Sequence, residues 1–127
     1  MNANVLEIGE AYLNALGTRD INKITTLVDS NIWFKMPMTE VFNRNDFIMA
    51  MRRMQANLRE LHILHKFSSG NTAMFMYEAT FNDPVGVLRA TSLMTIEGDK
   101  IKEMEVIFDA RPFERIYAKA EPLKKAA

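Results

Sequence analysis

The chain has 127 residues, the length of one ordinary domain with a single core, and it balances Lys+Arg 16 against Asp+Glu 16. Zero net charge argues against a nucleic-acid footprint or a basic membrane patch, and a chain without cysteine has no disulfides or thiolate metal sites. No apolar run approaches a membrane span, and MNANVLEIGE lacks the basic-then-apolar pattern of a signal peptide, so a cytoplasmic protein is expected.

Asn4 followed by Glu7 resembles a capping box, and Val5, Leu6, Ile8, Tyr12, Leu13 and Leu16 then recur at helical spacing. Gly17 is expected to end this helix, and Asp20 to cap a second with Ile21, Ile24, Leu27 and Val28 on its face. Ile32 to Met36 reads as a strand stopped or held at an edge by Pro37, with Val41 and Phe42 as a brief second one. Asn45 or Asp46 is expected to start a third helix, buried along Phe47, Ile48, Met51, Met54 and Leu58.

Strands follow: Arg59–Phe67, Thr72–Asn82, Val87–Ile96 and Lys100–Asp109, separated by turn-forming Ser68–Asn71, Asp83–Gly86 and Glu97–Asp99. A three-residue loop at Glu97-Gly98-Asp99 sets Ser92 opposite Met104, Ala90 opposite Val106 and Leu88 opposite Phe108, a register inferred from the apolar match. A short helix is expected around 113–118, and 119–127 reads as a tail. Without a linker or repeat, residues 1–127 are one domain. Helices first and meandering strands last predict an α+β fold, helices covering one face of a bent antiparallel sheet.

AYLNALGTRDINKITTLV, KMP, the IEGDKI turn and FDARPFE, in this order of elements, resemble the nuclear transport factor 2-like superfamily. Within it the likeness is to SnoaL-like (polyketide cyclase-like) domains and ketosteroid isomerases, over roughly residues 5–114. The resemblance implies a cone-shaped, strongly curved sheet around an apolar pocket that the N-terminal helices close. It matches Tyr12 to the isomerase oxyanion donor and Ser92 roughly to the second donor. It also sets Met36 where the general base should precede Pro37, and a thioether cannot abstract a proton. The Arg between two Asp of the epoxide-hydrolase arrangement finds only Arg89, out of phase with the inward set.

Alternation along Thr72–Asn82 divides Met74, Met76, Glu78 and Thr80 from Phe75, Tyr77, Ala79 and Phe81. The first set is assigned inward. Glu78 is then a desolvated carboxylate fit to act as acid, base or polar anchor; the plainer reading solvates it or pairs it with Lys66 or Arg89. Seven of the ten methionines fall on inward faces, namely Met36, Met51, Met54, Met74, Met76, Met94 and Met104. Methionine is an adaptable core filler, and it also makes a deformable apolar pocket. Leu16, Phe34, Val106 and Phe108 join that expected wall, with Tyr12, Ser92 and Glu78 as its polar groups.

His62 and His65 are placed on opposite faces, which excludes a joint metal site, and His65 is the better pocket candidate. Asp109 reads as a turn or capping residue, or as a late-strand acid. Two functions stay open: binding of a small hydrophobic molecule, or a cofactor-free isomerase, cyclase or dehydratase using Glu78 or Asp109 with Tyr12. Phe75, Tyr77, Phe81, Val87, Leu93 and Ile107 on the outer sheet face predict a homodimer. No cofactor, metal, nucleic acid or membrane enters either reading.

Overall fold

A computed structural model describes residues 5–113. The elements are α1 (Val5–Gly17), α2 (Ile21–Leu27), β1 (Val28–Met36), β2 (Thr39–Val41), α3 (Arg44–Asn57), β3 (Leu58–Ser69), β4 (Thr72–Phe81), β5 (Val87–Glu97) and β6 (Lys100–Phe108). The expected capping residue Asn4, the helix beyond Phe113 and the tail lie outside the described residues.

Helix α1 buries Val5, Gly9, Tyr12, Leu13 and Leu16, positions spaced to make one stripe. Gly17 is its last residue, but Arg19, not Gly17, takes the left-handed conformation (φ 63) that turns the chain toward α2. Asp20 caps α2 as expected, accepting from the Lys23 N–H at 3.0 Å. The cap of α3 is Asn43, ahead of the expected Asn45 or Asp46, and its side chain accepts from the Asp46 N–H at 2.8 Å. Strand β2 begins at Thr39, leaving Phe42 exposed.

Six strands form one sheet in the order β2-β1-β6-β5-β4-β3. The fold is α+β, as expected, but the sheet is mixed: β1 runs parallel to β6, both starting from the end where α2 delivers Val28 opposite Ile101, and every other pairing is antiparallel. The helices pack on one face, around Phe34, Phe47, Phe75, Met51, Met94 and Met104, all fully buried. Phe34 meets Phe47 edge-on with centroids 5.0 Å apart.

Two bulges decide which side chains share a face. The β5–β6 turn is a two-residue loop, Gly98 and Asp99, both left-handed (φ 55 and 62), as such hairpins require. Glu97 therefore pairs Lys100, and an extra residue, Lys102, shifts the ladder before Thr95 meets Glu103. Ser92 stands opposite Val106, Met94 opposite Met104 and Ala90 opposite Phe108, so the expected three-residue loop is corrected by two positions. The bulge restores the phase that the short turn alone would break, and the same apolar set still faces inward. In β3 the register slips between Ile63, opposite Tyr77, and His65, opposite Met76. The slip carries His65 to the outer face beside His62, correcting their assignment to opposite faces.

The largest correction concerns β4. Phe75, Tyr77, Ala79 and Phe81 are buried under the helices, whereas Met74 and Met76 are exposed and Glu78 is half-buried on the opposite face. Glu78 accepts from Arg89 at 2.7 Å, directly across the β4–β5 ladder. Burying three aromatic rings removes more apolar surface than burying two thioethers, and it leaves the carboxylate in contact with water and a guanidinium. Both effects select the same phase.

Candidate functional site

Between the helices and the inner sheet face lies a cavity of about 800 Å³. Its walls are Leu16 of α1, Ala50 and Met54 of α3, Met36 at the end of β1, and Leu61, Tyr77, Ala79, Phe81, Leu88, Ala90, Val106 and Phe108 of the sheet. Phe113 closes one side, edge-on to Phe81 and Phe108 at 5.3 and 5.7 Å. Exposed Met38, Arg53, Asn57, Asn82, Asp83 and Pro84 also line the cavity and stand where it opens to solvent. The Asn82 N–H donates to the Asn57 carbonyl at 2.9 Å, tying the β4–β5 loop to the end of α3.

Tyr77 brings a buried polar group to this wall, its hydroxyl 2.8 Å from Ser92 Oγ. Burial pushes the Tyr77 phenol up to about 12, while its bond to Ser92 acts the other way. It is therefore a neutral hydroxyl at physiological pH. The pair holds two O–H protons and spends one on the mutual bond, leaving one donor for another acceptor. Tyr12 plays a different part: buried among core side chains, it donates to Met51 Sδ at 3.2 Å and does not line the cavity. Burial, with Tyr77 nearby, raises its pKa well above the ordinary value.

Of the residues expected to form a pocket, Leu16, Met36, Met54, Val106 and Phe108 line this cavity. Tyr12, Phe34, Met51, Ser92, Met94 and Met104 are buried behind its walls. Met74, Met76 and Glu78 are on the other side of the sheet, where His65, Phe67, Met74, Met76 and Thr91 surround a shallow depression of about 290 Å³. Asp109 is exposed just past β6, accepting from the Arg111 N–H at 3.0 Å, which is the turn role expected of it. Tyr77, Arg53 and the β4–β5 loop were missed. The facing of Glu78 and Arg89 across a hairpin was the available signal for the phase of β4.

Chemically, the interior holds hydroxyl and apolar groups. Asp83, at the opening, is the carboxylate of the lining among the described residues, and Met36 occupies the wall at the position implied for a general base. Glu78, Asp109 and Tyr12 do not converge. Among the described residues no three His, Asp or Glu side chains gather as metal ligands do, and no helix is long and apolar enough to cross a membrane.

The model of the SnoaL-like domain family matches residues 10–104. The chain belongs to the SnoaL-like domain family. A Kribbella flavida DSM 17836 protein is 25% identical to this SnoaL-like chain, with a TM-score of 0.84 over 91% of this chain and 95% of that one. An NTF2-like protein of unknown function from Cytophaga hutchinsonii ATCC 33406 is 21% identical, with a TM-score of 0.77 over 87% and 94%. A Catenulispora acidiphila DSM 44928 protein with a ketosteroid isomerase-like fold, in complex with trimethylamine, is 15% identical, with a TM-score of 0.71 over 84% and 88%. No curated protein matches the sequence. The fold is thus that of the nuclear transport factor 2-like proteins, shared with ketosteroid isomerase-like and polyketide cyclase-like structures.

Proposed function

We propose that this SnoaL-like chain, acting as one domain, binds a small hydrophobic molecule in the cavity between its helices and sheet. The observation that carries the reading is the lining: a space of about 800 Å³, walled by aliphatic, thioether and aromatic side chains, with a neutral tyrosine hydroxyl among them. Ligand sites are commonly of this size and mix, mostly apolar with a few placed polar groups. Met36, Met38 and Met54 give the wall an adaptable part. The trimethylamine complex of a neighbour supports use of this fold to hold a small molecule. A sheet bent strongly around that space, as in the cone the family resemblance implies, belongs to the same proposal. So does a cytoplasmic site of action, supported by the cysteine-free sequence.

The enzymatic alternative has less support, because Glu78 and Asp109 lie outside the cavity and Met36 offers no base. The test is fluorescence titration with Nile red, a neutral apolar dye, on the parent and on Ala90→Trp, which places an indole in the cavity. Saturable binding that the tryptophan abolishes is expected, with the fold retained by circular dichroism. Equal dye binding by both proteins would refute the site.

A homodimer through the outer sheet face is the second reading. Its apolar membership differs in part from the sequence expectation: Val87, Leu93 and Ile107 (63% exposed) stand there as expected, while Phe67 (66% exposed) and Met74 take the place of the buried Phe75, Tyr77 and Phe81. The described helices all pack on the other face, and an apolar surface of this extent marks a partner.

A further inference from the structure

We propose that the molecule held in the cavity is an amphipathic anion, an apolar body ending in a carboxylate, and that Arg53 at the opening binds the carboxylate. This rests on the cavity reading above and assigns the chemistry of its two ends.

Helix α3 carries Arg44, Arg52 and Arg53 against one acid, Asp46. Arg44 is engaged with the Val28 carbonyl at 3.3 Å, and Asp46 is bound up in the helix cap with Asn43. Arg53 lines the cavity and has no ion-pair or hydrogen-bond partner among the described residues, which sets it apart from Lys66, Arg89 and Lys102, all paired to carboxylates. Asn57, one turn further along the same helix, and Asn82 of the facing loop also line the opening. Neither amide side chain is hydrogen-bonded among the described residues, so both offer N–H donors to a second oxygen.

Asp83 is the opposing charge in the lining, and it makes no ion pair with Arg53. The helix side of the opening therefore presents a net positive wall and the loop side one carboxylate. A guanidinium grips a carboxylate with two parallel N–H···O bonds, which gives an anionic end the stronger specific contact. Below it, Met36, Met54, Leu61, Leu88 and Phe108 offer an apolar path. The opening and the interior thus ask for opposite chemistry in one ligand.

The test compares decanoate, decanol and decylamine by calorimetry, below their micelle concentrations, on the parent, Arg53→Gln and Arg52→Gln. Nile red binding runs in parallel as the check on the cavity itself. Decanoate is expected to bind about tenfold more tightly than decanol, to lose that advantage in Arg53→Gln and to keep it in Arg52→Gln, whose arginine does not line the cavity. Equal affinity for acid and alcohol, or decanoate binding untouched by Arg53→Gln, would overturn the carboxylate assignment while Nile red still reports the cavity. Preference for decylamine would overturn it in favour of Asp83. Failure of Nile red together with all three amphiphiles would overturn the cavity reading as well.

Discussion

Glu78 Oε2 accepts a hydrogen bond from Arg89 Nη2 at 2.7 Å, strand to strand, on the face of the sheet that the helices leave bare. That pair marks the phase of β4, and with it the side of the sheet on which Tyr77 stands. Because both side chains are substantially exposed, water competes for the bond and its contribution to stability is small. Glu78→Gln is expected to change the free energy of urea unfolding by less than about 1 kcal/mol and to leave Nile red affinity unaltered. A large loss of dye binding would return Glu78 to the site.

Tyr77→Phe removes the partner of a completely buried Ser92 hydroxyl. An orphaned buried hydroxyl costs about 1–3 kcal/mol, so urea denaturation should show a loss in that range. Tyr12→Phe should cost less, under about 1 kcal/mol, because the hydroxyl it removes donates only to a thioether, a weak acceptor.

The same two phenols make stability depend on alkaline pH. Folding raises the Tyr77 pKa from 10.0 to about 12 and raises Tyr12 as well, so the native state keeps protons that the unfolded chain releases. Their contribution is complete below about pH 10 and is lost as pH rises through the folded values. The fall should approach about 1.4 kcal/mol per pH unit for each tyrosine, and each Phe variant should flatten it. Unfolding free energies measured from pH 8 to 12 check this.

Gly9 lies where α1 crosses β4 and β5. A methyl there would sit 2.5 Å from Phe75 Cε1 and 3.2 Å from Met94 Sδ. Alanine's better helix propensity, about 1 kcal/mol, is set against overpacking of a ring with 0% exposure, which costs about 1–3 kcal/mol. Gly9→Ala is expected to lower the melting temperature, and a rise would show that α1 can lift off the sheet cheaply.

On the outer face, Ile107→Lys should convert the proposed dimer to a monomer in sedimentation equilibrium at micromolar concentration without loss of helix or strand signal. The substitution places a charge within the exposed group of Phe67, Met74, Leu93 and Ile107. A parent protein that sediments as a monomer would remove this interface.

The residues themselves determine the order and kind of the elements, the capping of α2 by Asp20, the inward faces of β5 and β6, and the family resemblance that the match over residues 10–104 bears out. Each follows from local spacing and turn chemistry, which neighbouring residues decide among themselves. The tertiary structure decided the phase of β4, the side on which His65 stands and the wall to which Tyr77 belongs. Alternation has two equivalent solutions on a strand whose faces are both largely apolar, and a bulge of one residue exchanges them. The packing of the helices on Phe75, Tyr77 and Phe81, and the pairing with neighbouring strands, Glu78 against Arg89 and Ile63 against Tyr77, break that symmetry.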